Sequence, residues 1–229
     1  MNDVDQRISG IKSYIQDLFG KEDEALKNVL KKCEESQIPM IHVPPHVGKL
    51  IYILTKLKNP KNVLEIGTLG GYSTIWIAKA LNEKAKLTSI EINEEHVKLA
   101  KSNANLAGFD QKITFLNGEA LPLLETMRNS AQDKFDMVFV DADKENYLNY
   151  FQILKEMIED GALILSDNLI PKWKPIGQPH PKDQMAKSIY AFNEALSQDE
   201  DFETAIATTL VGTVPRIDGL GVSLYQAKS

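Results

Sequence analysis

Two short acidic segments carry the most chemistry in this sequence. FVDADKENY sets Asp141 and Asp143 directly after an apolar run, with Lys144 beside them, and ILSDNL sets Asp167 and Asn168 after another. If both runs are strands of one sheet, Asp141, Asp167 and Asn168 reach a common rim and offer only hard oxygens. Such a set suits Mg²⁺, with Ca²⁺ or Mn²⁺ as the other candidates, water and substrate completing the shell. Asp-x-Asp after a strand is also a helix-capping pattern, and Asp-Asn is a common turn. Singly, each motif is balanced between those roles and ligation; together, at the ends of successive strands, they favour a metal. A neighbouring cation and partial burial would lower the pKa of Lys144 and fit it to accept a proton. On a helix surface it would instead pair with Glu145 or Asp143.

A glycine turn forms the second constellation. VLEIGTLGGYS carries Gly67, Gly70 and Gly71 between a strand and the helix that starts at Tyr72. Glycines there let the backbone approach a ligand closely, and the first amides of the helix, with Ser73, can donate hydrogen bonds. The spacing is not G-x-G-x-x-G, and Glu65 stands where a pyrophosphate would be repelled. A ligand bearing an ammonium and a sulfonium, such as S-adenosylmethionine, suits that acid better. Glu91, closing LTSIEIN, can accept two ribose hydroxyls. Glu119 and Ala120, after the next strand, stand where an adenine ring would be covered, although Glu119 would equally suit the first turn of a helix, favouring its dipole.

These residues need a scaffold that brings strand ends together. Short β-rich runs at 62–66, 86–90, 112–116, 135–140 and 163–166 alternate with helical patterns near 72–81, 94–107, 119–129 and 146–158. That alternation predicts a Rossmann-like α/β fold, a mostly parallel sheet with helices on both faces. A further helix near 182–197 precedes strand-like segments at 202–210 and 221–226, which lack a crossover and so are expected to pair antiparallel at one edge. In such sheets ligands bind beyond the carboxyl ends of the strands. Upstream, apolar residues at helical intervals in 1–45 predict a helical N-terminal extension. Pro44 and Pro45 then precede a helix over Val47–Leu57.

The chain has 229 residues, 43% hydrophobic and 25% charged, with a formal charge of −6. One domain spanning 1–229 is expected, with a core over 46–229. No run of about 18 apolar residues is present, and the polar start MNDVDQRISG lacks a signal-peptide pattern. The single cysteine, Cys33, reads as a buried structural thiol. These features point to a cytoplasmic protein with no membrane partner, and the acidic balance weighs against nucleic acid.

VLEIGTLGGYST, FVDADKENY, the following DN and the closing IDGLGVSLYQ resemble the cation-dependent class I O-methyltransferases, the group of the catechol and caffeoyl-CoA enzymes. The resemblance runs from about Pro44 to the C-terminus and implies a seven-stranded sheet with one antiparallel edge strand. It implies that Glu65, Gly67, Thr68, Gly71, Tyr72 and Ser73 form the S-adenosylmethionine turn, with Val43 against the cofactor. Glu91 would bind the ribose, Ala120 the adenine, and Asp143, with Asp141 nearby, the amino end. Asp141, Asp167 and Asn168 would hold the metal, and Lys144, with Asp141, would be catalytic. The substrate would be a small aromatic diol, and the assembly a homodimer. PPHVGK and PKWKPIGQPHPKD depart from the plant pattern at places bordering the acceptor pocket, which leaves substrate identity open. Trp173, His180 and the prolines of a loop near 169–183 are expected to form a flap. His42 and His46 flank the prolines at the entrance, where contact with substrate and ordinary surface roles are equally open.

Three other functions compete. An NAD-dependent oxidoreductase is disfavoured by the missing G-x-G-x-x-G. An RNA or DNA methyltransferase would want a basic face or an Asn-Pro-Pro-Tyr segment where DADKENY stands. A non-catalytic cofactor module would be expected to have lost the Asp141, Asp167 and Asn168 trio or Lys144, and all four are present.

Overall fold

The N-terminal apolar spacing folds as three helices: α1 (Asp3–Phe19), α2 (Glu24–Glu35) and α3 (Pro45–Lys58). The computed structural model describes residues 3–130, 133–171, 179–180, 182–212 and 216–228. Gly20 stops α1, its amide closing back on the Gln16 carbonyl at 2.9 Å. Asp23 caps α2 by accepting from the Leu26 amide at 3.2 Å. Pro45 opens α3 in the first turn, two residues before the expected start, because a missing N–H costs nothing there. Helices α2 and α3 bury Leu26, Val29, Cys33, Val47 and Ile51, whereas α1 buries no residue.

From Asn62 onward strands and helices alternate. The elements are β1 (Asn62–Ile66), α4 (Tyr72–Ala80), β2 (Lys86–Glu91), α5 (Glu94–Leu106), β3 (Ile113–Asn117), α6 (Ala120–Arg128) and β4 (Phe135–Val140). They continue as α7 (Tyr147–Met157), β5 (Ile158–Ser166), α8 (Gln184–Gln198), β6 (Phe202–Val211) and β7 (Arg216–Tyr225). The seven strands form one sheet in the order β3-β2-β1-β4-β5-β7-β6. Pairings among β1 to β5 are parallel, and β7 runs against both β5 and β6. This is the expected Rossmann-like sheet with an antiparallel pair at one edge. The reversed strand is β7, inserted between β5 and the outermost β6. Strand order turns back between β1 and β4, which opens a crevice at their carboxyl ends.

Strand alternation sends successive side chains to opposite layers. Met137 and Phe139 of β4 pack with Ile51, Ile75 and Trp76, while Val138 and Val140 pack with Tyr147, Phe151 and Phe192. All six residues of β4 are buried, as its apolar run requires. Asp136 is tolerated there because its carboxylate accepts from the Lys61 and Asn62 amides at 2.7 and 3.0 Å. Strand β5 starts at Ile158, five residues before the expected position. Its pairing with β4 shifts register between Phe135 and Met137, so the turn-like Glu159–Gly161 rides in the strand as an irregularity. Strand β7 likewise starts at Arg216, because pairing with β6 holds Asp218 and Gly219 extended. Among the described residues no helix is long and apolar enough to cross a membrane.

Candidate active site

The turn after β1 is shaped by glycine at two positions. Gly67 has φ +97°, and a Cβ there would lie 2.1 Å from the Asp141 carbonyl oxygen. The turn can therefore press against the end of β4 only with glycine at that place. Gly71, at φ +87°, precedes α4 without any side-chain cap, so the first amides of that helix stay free to bind an acceptor. Glu65 points away from this opening. Strand alternation turns it toward the start of α4, where its carboxylate accepts from Ser73 (2.7 Å), Thr74 (2.5 Å) and Ser89 (2.6 Å). It is fully buried, and burial pushes its pKa up to about 7 against the pull of those three hydroxyls. Thr68 is buried too, its hydroxyl shared with Ser89 and the Ile90 carbonyl.

Glu91, at the end of β2, braces the same turn. One oxygen accepts from the Thr68 and Leu69 amides at 3.3 and 2.8 Å, and the other from the Asn93 amide at 2.9 Å. The Glu91 carbonyl in turn accepts from the Gly118 amide and the Asn117 side chain, both at 3.0 Å, which draws the end of β3 and Ala120 alongside. Tyr72 is buried edge-on to His42, with ring centroids 5.0 Å apart, and donates to Glu22 at 2.7 Å. That contact brings the segment around buried Val43 against the turn.

The ends of β4 and β5 form the other half of the rim. Val140 and Ser166 are register partners, and the Asp167 amide continues the ladder by donating to the Val140 carbonyl at 3.0 Å. Asp141 and Asp167 therefore leave adjacent parallel strands side by side, about 4.8 Å apart in backbone spacing. Asp167 is 2% exposed, and its Oδ1 has no hydrogen-bond partner among the described residues. Burial raises its pKa, and the Asp141 charge raises it further. Asn168 follows with φ +62°, a left-handed conformation that asparagine tolerates. Among the described residues no three His, Cys, Asp or Glu side chains gather as a metal site. The cluster here is two carboxylates and an amide.

Lys144 does not lie on a helix surface with Glu145 or Asp143. Its ammonium is buried and donates to Asp141 at 2.9 Å and to the Tyr147 hydroxyl at 2.7 Å. Burial pulls its pKa down, but Asp141 and Tyr147 outweigh that, and the net direction is upward. Asp143 is exposed and anchored from its own helix side by Asn146 and Tyr150.

Two half-sites thus face one crevice: a turn built for close backbone approach, and a carboxylate pair with a lysine between strand ends. The O-methyltransferase family model matches residues 16–214, most of the length of the chain. The chain belongs to the O-methyltransferase family. This methyltransferase is 33% identical over 221 residues to a catechol O-methyltransferase of Niastella koreensis, covering 96% of this chain and 99% of that one. It is 34% identical over 164 residues to a caffeoyl-CoA O-methyltransferase of Medicago sativa, 71% of this chain and 66% of that one. Among solved structures, the O-methyltransferase from Bacillus cereus in complex with SAH matches with a TM-score of 0.89 at 29% identity, over 97% of this chain and 100% of that one. TomG from Streptomyces achromogenes, in complex with SAM, matches with a TM-score of 0.89 at 32% identity, over 99% and 100%. The class I resemblance read from VLEIGTLGGYST and FVDADKENY is thereby met.

The fold also brings to the rim residues that the motifs alone did not single out. Tyr147 is buried, and its oxygen accepts from Lys144 while lying 3.0 Å from both the Val140 and Asp167 carbonyls. It therefore ties the two carboxylate-bearing strand ends together. It closes the FVDADKENY motif, so the signal was its position one helical turn after Lys144. His42 and His46 are both half-buried, with pKa values lowered by burial and then by Lys12. His180 is exposed, its Nδ1 accepting from the Lys182 amide at 3.2 Å. Trp173 and residues 172–178 of the expected flap lie outside the described residues.

Proposed function

We propose that this methyltransferase uses S-adenosylmethionine as donor and a divalent cation, Mg²⁺ or a similar ion, to methylate one hydroxyl of a vicinal-dihydroxy aromatic of catechol, caffeoyl or flavonoid type. The observation that carries the reading is the buried, unpartnered Oδ1 of Asp167 beside Asp141. A buried carboxylate oxygen without a donor is costly unless a cation completes it. The catechol and caffeoyl-CoA names of relatives, and the SAH and SAM in the two solved structures, support the substrate and donor classes.

The donor set fits both groups. Uncapped amides at the start of α4 suit a carboxylate, and the acids along the rim suit an ammonium and a sulfonium. Glu91, already accepting three amides, retains capacity for a ribose hydroxyl. Asp141, Asp167 and the Asn168 amide oxygen would hold the cation, all three hard oxygens. Bound there, a divalent ion would supply Lewis-acid polarisation that lowers the pKa of an acceptor hydroxyl.

The chain's own residues do the remaining work. Lys144 is held at the rim by Asp141 and Tyr147, which orient its nitrogen. With a cation held at Asp141, the main charge that keeps Lys144 protonated would be neutralised, and Lys144, having released its proton to solvent, could then accept the proton of the acceptor hydroxyl. Gly67, pressed on the Asp141 backbone, keeps the two half-sites in contact and leaves little room for water between them. A homodimer belongs to the same proposal, supported by the exposed apolar side chains Val4, Ile11, Leu18 and Phe19 of α1.

The test is a panel of vicinal-diol aromatics with isotope-labelled S-adenosylmethionine and Mg²⁺, with products read by mass spectrometry and NMR. Methylation of one hydroxyl, lost with EDTA and restored by Mg²⁺, is the expected result. Full activity in EDTA would remove the cation from the reading, and transfer only to monophenols would remove the chelating diol.

A further inference from the structure

Asn168 can serve a cation only through its oxygen, since its amide nitrogen is a donor. Something must therefore decide which way the amide faces. The structure contains such a group on a distant part of the chain. Strand β7 passes beside β5 and sets Asp218 beneath the Asp167–Asn168 turn, where the Leu169 amide also donates to the Gly219 carbonyl at 2.9 Å. Asp218 is fully buried. Its Oδ2 accepts from the Asn168 side-chain amide at 3.0 Å and pairs with Arg216 at 2.6 Å. Its Oδ1 accepts from the Gly219 and Ile170 amides at 2.8 and 3.3 Å. Four donors converge on one carboxylate, so every bond it makes is as an acceptor.

We propose that Asp218 is a positioning residue for the cation site, holding the Asn168 amide nitrogen so that its oxygen is presented on the opposite side, toward Asp167 and Asp141. The inference rests on the cation reading of the preceding section. A carboxylate can only accept, so the nitrogen must face it, and the planar amide then turns its oxygen away. The left-handed backbone of Asn168, at φ +62°, is held by the same carboxylate through the amide of Ile170 two residues later. Asp218 touches no reacting atom in this arrangement. It acts through Asn168, as partners of metal ligands do elsewhere. Arg216, partly exposed, supplies the charge that lets a carboxylate remain buried there.

The test measures binding of Mn²⁺ alone, by loss of the free-ion EPR signal, in wild type, D167A, D218N and the exchange variant N168D/D218N, with SAH affinity measured in parallel. An asparagine at 218 has one accepting oxygen and cannot serve both the backbone amides and Asn168. D218N should weaken Mn²⁺ binding roughly 10- to 100-fold while SAH affinity is unchanged. In the exchange variant a donor at 218 faces a carboxylate at 168, which needs no flip to present an oxygen, and Mn²⁺ binding should return to near wild type. A purely structural role predicts a lowered melting temperature for D218N with unaltered Mn²⁺ affinity, and that result overturns the proposal. Should D218N fail to fold, the exchange variant decides: folded and Mn²⁺-binding supports the proposal, folded without binding overturns it. If wild type itself binds no Mn²⁺, the cation reading falls and this proposal with it. Binding by wild type, lost in D167A but equal in D218N, removes only Asp218.

Discussion

The two halves of the rim handle buried charge in opposite ways. Around the turn after β1 both buried carboxylates have protein donors on each oxygen: Glu65 from three hydroxyls and Glu91 from three backbone amides. At the ends of β4 and β5, among the described residues, Asp167 has a buried oxygen with no donor, and the side chain of Asp141 pairs with the Lys144 ammonium alone. A network in which each oxygen has a protein donor is rigid, and its carboxylates shape the space a ligand enters. An unsatisfied one stores an unmet demand that a cation relieves. The contrast suits scaffolding in the first half and, on the proposed reading, ligation in the second, although both read as acidic strand ends in sequence.

The largest expected effects break the second half. Asp141→Ala and Asp167→Ala should reduce catechol methylation to background while SAH still binds, as calorimetry would show. Retained activity in both variants would place the reaction elsewhere. Lys144→Met should lower kcat by about 100-fold or more with little change in KM. It should also remove the limb of the kcat–pH profile on which a base loses its proton, and an unchanged profile would deny Lys144 that role.

Smaller effects sharpen the first half. Glu65 has an unfolded value of 4.5 and a folded value of about 7, so the fold prefers its protonated form. Its contribution to stability is complete below 4.5 and is lost as pH rises through 7. Urea unfolding of wild type should therefore lose up to about 3 kcal/mol relative to Glu65→Gln between those limits. A constant difference across that range would mean that the hydroxyls hold Glu65 ionised throughout. Glu91→Gln keeps one accepting oxygen where the turn uses two, and should weaken SAH binding about tenfold, near 1.4 kcal/mol. An equal loss in Mn²⁺ affinity would show that the halves are not separable.

Much of this arrangement was legible in the chain itself. Apolar runs alternating with helical spacing specify the parallel sheet, since strands buried on both faces must be continuous in hydrophobicity. Asp141, Asp143, Lys144, Asp167 and Asn168 could be placed on one rim because residues after parallel strands share an edge. What sequence did not show was where each carboxylate points. Glu65 looked available to a cationic ligand, yet alternation along β1 turns it into the interior against Ser73, Thr74 and Ser89. The start of β5 is not legible in sequence because Glu159–Gly161 has turn composition, and pairing with β4 overrides that local preference.

By itself, then, the sequence determined the order of elements, the glycine turn and which oxygen-bearing side chains stand at the strand ends, because these follow from periodicity and from residue types there. Tertiary structure alone decided which acids are satisfied and which are left wanting. Tyr147 joins the ends of β4 and β5, and Asp218 reaches Asn168 from fifty residues away. Both depend on which strands become neighbours, and hydrogen bonds between segments so far apart in the chain exist only once the sheet has brought them together.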